Sequence, residues 1–144
     1  MSVKAVAIAS DHRGIALKAA LAVTLRARGL KVLDLGPDSE DAVDYPDFAD
    51  KLAHEINSGE AERGVLICGS GIGMSIAANR HRQVRAALCH DADAARLTRQ
   101  HNDANVLTLP GSSISEAEAQ ACLGAFLDTD FEGGRHARRV AKLA

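Results

Sequence analysis

Aromatic residues are scarce in this chain, which has one Tyr, three Phe and no Trp among its 144 residues. Proteins that bind single-stranded nucleic acid without sequence preference stack its bases on aromatic side chains, so this kind of binding is disfavoured. The formal net charge of −2 at pH 7 gives no overall positive field that would attract nucleic acid or an anionic membrane. We therefore expect no nucleic-acid partner, no membrane partner, and a core of small aliphatic side chains.

Cysteine is also infrequent. The three cysteines, Cys68, Cys89 and Cys122, are far apart, and none belongs to the CxxC pairs of redox motifs and zinc knuckles. We predict reduced thiols in a reducing compartment and hence a cytoplasmic protein. The apolar residues 3–9 are too few for a signal h-region or a membrane span. The six histidines show neither HxxxH nor a His-carboxylate spacing typical of a ligand set, so we expect no metal.

Short apolar β-favouring runs alternate with longer segments of helical periodicity, which is the pattern of parallel βαβ units. With the length of one ordinary domain, residues 1–144 are predicted to form a single α/β domain whose five-stranded parallel sheet lies between helices. The predicted strands are residues 3–9, 30–35, 64–68, 84–88 and 106–109. The predicted helices are residues 15–28, 46–58, a segment after a glycine loop that continues to about 79, 91–100, 116–127, and a C-terminal helix from about 135 to 143.

The glycine loop begins at Cys68, where the third predicted strand ends. Glycines at positions 69, 71 and 73 allow backbone amides to face outward, and the following helix adds its positive N-terminal end. Such a loop binds an anion or a developing oxyanion. Its spacing matches neither the GxGxxG of dinucleotide-binding loops nor the GK[ST] of a P-loop, and Met74 stands where a cysteine-dependent phosphatase needs arginine.

Polar residues cluster at the ends of predicted strands. Ligands of open α/β sheets bind beyond the carboxyl ends of the strands, where Asp11 and His12 follow the first strand. His101 and Asn102 instead precede the fifth strand, so we place them towards the opposite edge of the sheet. A residue at the wrong edge of one subunit can complete the pocket of a neighbour. We therefore hold active sites between subunits as a hypothesis.

Several motifs are spread along nearly the whole chain. They are Ser10-Asp11-His12, Asp44-Tyr45-Pro46, residues 67–79, Arg99-Gln100-His101-Asn102-Asp103, and Glu132-Gly133-Gly134-Arg135-His136 with Arg139. Together they resemble the ribose-5-phosphate isomerase B family, which also includes galactose-6-phosphate isomerase subunits. The resemblance implies a Rossmann-like three-layer sandwich and a homodimer or homotetramer with intersubunit active sites. It also implies aldose-ketose isomerisation of a sugar phosphate through an enediolate, with no cofactor.

The resemblance assigns Cys68 as the base that moves a proton between carbons 1 and 2, and a helix N-terminus favours the thiolate that this role needs. The alternative is a buried thiol that ends a core strand. Ser70 and the amides of Gly71 and Gly73 would stabilise the enediolate oxygen, with Gly69 in the same substrate-binding loop. The alternative for the loop is a tight turn that requires glycine.

By the same resemblance, His101 opens the sugar ring, a task suited to an imidazole that titrates near neutral pH, and Asn102 binds sugar hydroxyls. Asp11 and His12 would hold the ring oxygen or hydroxyl groups, although Asp11 is also a favoured residue for capping the first helix. Tyr45 is placed near the sugar by the resemblance alone, and its alternative is a half-buried phenol in a loop.

Arg135 and Arg139 are the residues that the resemblance assigns to the phosphate, and their i, i+4 spacing puts them on one helical face. Arg138 and Lys142 form a second such pair. A basic last turn is otherwise a solvated helix end stabilised by the helix dipole. His12 is a further candidate for a phosphate contact.

The chain departs from the family pattern after the fifth strand. The family commonly carries a phosphate-binding arginine there, whereas this chain has Ser112 and Ser113. Arg138 is a candidate replacement for that charge. Ribose 5-phosphate is therefore the first choice of substrate, with a tetrose, allose or galactose phosphate as alternatives and a non-catalytic sugar-phosphate-binding subunit as another.

Overall fold

Strands and helices alternate along the chain as the sequence periodicity predicts. The computed structural model describes residues 2–144. Its strands are β1 (Ala5–Ser10), β2 (Lys31–Asp34), β3 (Arg63–Cys68), β4 (Ala86–Leu88) and β5 (Val106–Pro110). Its helices are α1 (Ile15–Ala27), α2 (Tyr45–Asn57), α3 (Ile72–Asn79), α4 (Ala92–Asn102), α5 (Glu116–Asp128) and α6 (Arg135–Ala141).

The five strands form one parallel sheet in the order β2-β1-β3-β5-β4. The central strands β1 and β5 are buried at every residue, as the near-continuous apolar runs of a sheet covered on both faces require. The edge strands β2 and β4 are shorter and only partly buried. The predicted five-stranded parallel sheet is confirmed.

Alternate residues of β1 face two separate cores. Val6 and Ile8 pack against α1, α4 and α5, in a core that includes the fully buried Phe126. The alanines of β1 face the other side, where α2 and α3 contribute Leu52 and Met74. Because side chains alternate across a strand, one strand supports both layers. The result is the predicted three-layer sandwich.

Most element boundaries differ from the sequence prediction by one or two residues, and two of these differences have a local cause. Strand β4 begins at Ala86 rather than at residue 84, because the Arg85 N–H donates at 2.8 Å to the side-chain Oδ1 of Asn105 rather than to a backbone carbonyl. The Asn79 side chain hydrogen-bonds both backbone groups of Ala86, the first residue of the strand. Helix α4 continues to Asn102 rather than ending at residue 100, and Asp103 ends it in the left-handed conformation with φ 48°. His101 and Asn102 are therefore helical residues.

An ion pair between a buried lysine and a partly exposed aspartate fixes the chain at the carboxyl edge of β2. The Lys18 ammonium, on α1 and 4% exposed, lies 2.7 Å from Asp34 Oδ1. The same carboxylate accepts from the Gly36 N–H, and the Gly36 carbonyl accepts from the Ser10 N–H. These contacts hold the loop after β2 beside the end of β1. None of the helices among residues 2–144 is long and apolar enough to cross a membrane.

Candidate active site

Cys68 is the last residue of β3, and its side chain faces the α2 and α3 side of the sheet with Met74. It is 6% exposed. The chain turns at Gly71, whose φ of 77° is left-handed, and α3 begins at the next residue. A Cβ at Gly71 would collide with the Leu88 side chain and the backbone of Leu109. The turn therefore requires glycine, and it delivers the start of α3 to the thiol-bearing end of β3.

The start of α3 presents backbone donors. The Ile72 N–H donates to Ser70 Oγ at 3.2 Å. Within residues 2–144, the backbone N–H groups of Gly71 and Gly73 meet no protein acceptor. Since the first amides of a helix point outward at its positive end, they are suited to an oxyanion. Ser70 Oγ acts as an acceptor in this bond, so its own hydrogen is available to a ligand.

Tyr45 borders the same loop. It begins α2, is 40% exposed, and its ring lies over Gly73, where a Cβ would come 2.5 Å from the ring carbon Cζ. Gly73 is therefore glycine because the aromatic ring occupies the space of a side chain. The structure brings Tyr45 to the loop, and its contact with the sugar stays a prediction.

Asp11 and His12 are held at the carboxyl edge of β1. The Asp11 N–H donates to the Ile67 carbonyl at 2.9 Å, and its Oδ1 accepts from the backbone N–H groups of Arg13 and Gly14. The carboxylate thus orders the turn that leads into α1, as its capping alternative describes. The His12 Nδ1 accepts from the Val43 N–H at 3.3 Å, so neutral His12 carries its proton on Nε2. That N–H is available to a ligand.

A second group of predicted residues lies around the end of α4. The rings of His101 and His136 stack with centroids 4.4 Å apart. These two residues line a groove of about 310 Å³ with Asn102, Arg139 and two apolar residues of the C-terminal segment. Arg135 is exposed one helical turn before Arg139. The predicted ring-opening residue His101, the hydroxyl-binding Asn102 and the two phosphate-binding arginines therefore share one end of the molecule, which does not include Asp11 or His12.

His136 is buried in this group, and sequence reasoning gave it no definite role. Its Nε2 has no hydrogen-bond partner and lies 3.6 Å from Glu132 Oε1. Burial, followed by the positive charges of Arg135 and the neighbouring His101, lowers the pKa of His136. His136 therefore stays neutral at a lower pH than a free histidine does.

Arg99 fixes the end of α4. It is 4% exposed; its Nη1 donates to Asp103 Oδ1 at 2.8 Å and to the Ala104 carbonyl at 2.7 Å, and its Nε donates to the Thr129 carbonyl. The Glu132 N–H donates to the Gln100 carbonyl, which attaches the segment before α6 to α4. Sequence reasoning used Arg99 only as part of a motif. The long-range partners that give it this positioning role were not visible there.

The side chains of His101, Glu132 and His136 also form a group whose ligand atoms all lie within 4.8 Å of one another. The spacing of histidines along the sequence does not reveal this group, because its members come from α4, from α6 and from the segment before α6. The two rings are inclined by only 14°, and the in-plane lone pairs of nearly parallel stacked rings do not converge on one tetrahedral ion. The expectation of no metal stays a prediction.

The two groups lie at opposite edges of the sheet. The first group is at the carboxyl edge, since Cys68 pairs with Pro110 at the end of β5. It comprises Cys68, Ser70, the three loop glycines, Asp11, His12 and Tyr45. Helix α4 runs back to the amino edge, where the Arg85 side chain donates to the Asp103 carbonyl just before β5. The five residues of β5 separate the edges by about 16 Å. One chain therefore does not bring His101 to Cys68.

A family model described as ribose/galactose isomerase matches residues 6–143. The chain belongs to this family. Among its relatives, ribose-5-phosphate isomerase B of Escherichia coli is 41% identical over 137 residues, which cover 95% of this chain and 92% of that protein. The predicted family and the predicted class, an aldose-ketose isomerase, are confirmed.

Solved structures of ribose/galactose isomerase family members superimpose closely. Ribose 5-phosphate isomerase B of Thermotoga maritima has a TM-score of 0.95 and 51% identity, covering 97% of both chains. The Mycoplasma genitalium ribose-5-phosphate isomerase B with bound ribulose-5-phosphate has a TM-score of 0.94 and 39% identity, covering 99% of this chain and 95% of that one. The Rossmann-like fold is thereby confirmed.

Proposed function

We propose that this member of the ribose/galactose isomerase family interconverts ribose 5-phosphate and ribulose 5-phosphate through a cis-enediolate. The observation that carries the proposal is the loop at the end of β3, where Cys68 is followed by Ser70, whose hydroxyl hydrogen is free, and by the unbonded amides of Gly71 and Gly73. The choice of a pentose phosphate is supported by the substrate in the names of the E. coli, T. maritima and M. genitalium proteins.

In the aldose-to-ketose direction, the open-chain substrate presents its C1 carbonyl oxygen to the loop. The Cys68 thiolate removes the proton from C2, the C2–C1 double bond forms, and negative charge develops on the C1 oxygen. The amides of Gly71 and Gly73 stabilise that charge, and a well-aimed donor of this kind is worth about 3 kcal/mol of barrier. The thiol then returns its proton to C1 while the hydroxyl proton on O2 passes to O1, with Ser70 placed to carry it.

We further propose that the working unit is a homodimer, either alone or paired into a homotetramer, with each active site built by two chains. The partner subunit's His101 would open the ring at this chain's Cys68. The partner's Asn102 would bind a hydroxyl, and the partner's Arg135 and Arg139 would bind the phosphate. Support comes from the separation of the two groups in one chain and from Ile72 and Ile76, which are 54% and 55% exposed on α3 beside the loop.

A cytoplasmic location is part of the proposal. All three cysteines are free and buried, which fits a reducing compartment.

The test is a substrate panel on the purified chain, with ribose 5-phosphate and the tetrose, allose and galactose phosphates assayed with and without a chelator. We expect the highest kcat/KM on ribose 5-phosphate and no effect of the chelator. A higher kcat/KM on another sugar phosphate would replace the substrate but keep the chemistry. A folded oligomer that turns over none of them would favour the non-catalytic subunit.

A further inference from the structure

Arg13 lies against the glycine loop, although it directly follows the Ser10-Asp11-His12 motif and has no role assigned from sequence. It stands between His12 and the start of α1. Its guanidinium Nη1 is 3.7 Å from the point that a Cβ of Gly69 would occupy, and Ser112 Oγ is 3.3 Å from the same point. A guanidinium and a hydroxyl therefore flank the open side of Gly69, which is the residue that follows Cys68.

The guanidinium of Arg13 is exposed and has no protein partner. Within residues 2–144 it makes no hydrogen bond and no ion pair, because the Asp11 carboxylate beside it accepts from backbone N–H groups instead. Arg28 and Arg96, by contrast, are paired with the carboxylates of Asp128 and Asp93. Arg13 thus keeps all five of its donors available for a ligand.

The position of this charge suits a phosphate. Arg13 precedes the N-terminus of α1, and its guanidinium faces the loop that leads into α3, so the positive ends of two helices lie on the same side as the guanidinium. The planar guanidinium binds phosphate oxygens in pairs, and the Ser112 hydroxyl adds a donor from across Gly69. The proton on His12 Nε2 is a third donor from the residue next to Arg13.

We propose that Arg13 binds the phosphate group of the substrate, with Ser112 on the other side of Gly69. The inference rests on the proposed function, because it takes a sugar phosphate as the ligand of this site. Arg13 would replace the phosphate-binding arginine that the family commonly carries after the fifth strand, where this chain has Ser112 and Ser113. Arg138, the replacement considered from sequence, lies on α6 in the other group of residues. Arg13 supplies the charge at the loop itself.

The test compares Arg13→Gln with Arg26→Gln, a matched control at an exposed, unpaired arginine in the last turn of α1. Loss of a charged hydrogen-bond donor corresponds to about a 10-fold to 100-fold weakening of binding. We expect R13Q to raise both the KM for ribose 5-phosphate and the inhibition constant of inorganic phosphate by that factor. We expect kcat to stay within about threefold, and R26Q to change neither constant by more than about twofold.

A double variant tests the placement across Gly69. Adding Ser112→Arg to R13Q returns a guanidinium to the same site from the turn after β5, and we expect it to recover most of the lost phosphate affinity. Calorimetric titration with inorganic phosphate gives a readout that needs no turnover, so the inference is tested even if no sugar phosphate is isomerised. Equal phosphate affinities for R13Q, R26Q and the unchanged protein would overturn it.

Discussion

The imidazole rings of His101 and His136 stack face to face, with centroids 4.4 Å apart and planes inclined by 14°. Two positive charges at this separation would repel each other, so the arrangement favours one neutral ring. His136, which is 7% exposed, is the ring whose pKa is lowered. The neutral ring of His136 supports the exposed edge of His101, which is the side chain proposed to act on the sugar.

The lowered pKa of His136 predicts a pH dependence of stability. Unfolded His136 titrates near 6.5, whereas the folded residue resists protonation at that pH. The unfolded state therefore binds more protons between the two pKa values, and the free energy of unfolding falls as the pH drops from about 6.5 through the folded pKa. We expect the Tm to be lower at pH 5.5 than at pH 7.5.

His136→Asn removes this source of pH dependence and is expected to shrink the Tm difference between pH 5.5 and pH 7.5. His54→Asn, at an exposed histidine near the end of α2, is the control and is expected to leave the difference unchanged. Equal differences in the H136N variant and in the unchanged protein would show that the stacked pair does not control the effect.

Removing the thiol of Cys68 is expected to abolish isomerisation and leave the fold intact. Loss of a positioned base lowers the rate by about 10²- to 10⁴-fold, so kcat of C68A is expected to fall by that factor with little change in substrate affinity. Cys122→Ala is the matched control. Burial raises the pKa of Cys122 to about 11, so this thiol is not a base at neutral pH. An active C68A would remove Cys68 from the chemistry.

The contact between Tyr45 and Gly73 predicts a clash that a second substitution relieves. A methyl group in Gly73→Ala meets the phenol ring, and overpacking of this kind costs about 1–3 kcal/mol. We expect G73A to lower both the Tm and kcat/KM. In a Tyr45→Ala background the same change is expected to cost much less in Tm. Additive losses in the double variant would mean that the ring does not occupy this space in solution.

The ion pair between Lys18 and Asp34 is expected to stabilise the fold. Lys18→Met leaves the Asp34 carboxylate without its partner. Because that carboxylate is 32% exposed, we expect a cost of about 1–3 kcal/mol, which is below that of a fully buried pair. The exposed pair of Arg28 and Asp128 is the comparison, and R28M is expected to cost less than about 1 kcal/mol. Urea unfolding at pH 7 measures both. Similar losses for the two variants would show that burial of Lys18 adds nothing.

The local parts of this molecule could be predicted from sequence. The strand that ends at Cys68, the glycine loop and the following helix occupy a continuous segment, and glycine spacing and apolar runs act over that range. The strand order could not be predicted in this way, because β4 and β5 exchange places at the edge of the sheet through contacts between distant segments. The start of β4 depends on the side chain of Asn105, which takes the Arg85 N–H in place of a backbone acceptor.

The same limit applies to the candidate site. The motifs placed Cys68 and His101 in one reaction, and the position of His101 before its strand already indicated the opposite edge. The proximity of Arg13 to Gly69, and the hydrogen bond of Arg99 to the distant Thr129, exist only in three dimensions. Arg13 offered one usable signal, since it is a charged residue next to the polar residues that end β1.

Mixing two inactive variants tests most directly whether each active site is built by two chains. C68A and His101→Ala are each expected to be inactive alone. In a mixed dimer, one site lacks both groups and the other is complete, so random exchange of subunits is expected to restore about one quarter of the unchanged protein's activity. No recovery after exchange, with mixed dimers shown to be present, would mean that Cys68 and His101 act within one chain and would contradict the account.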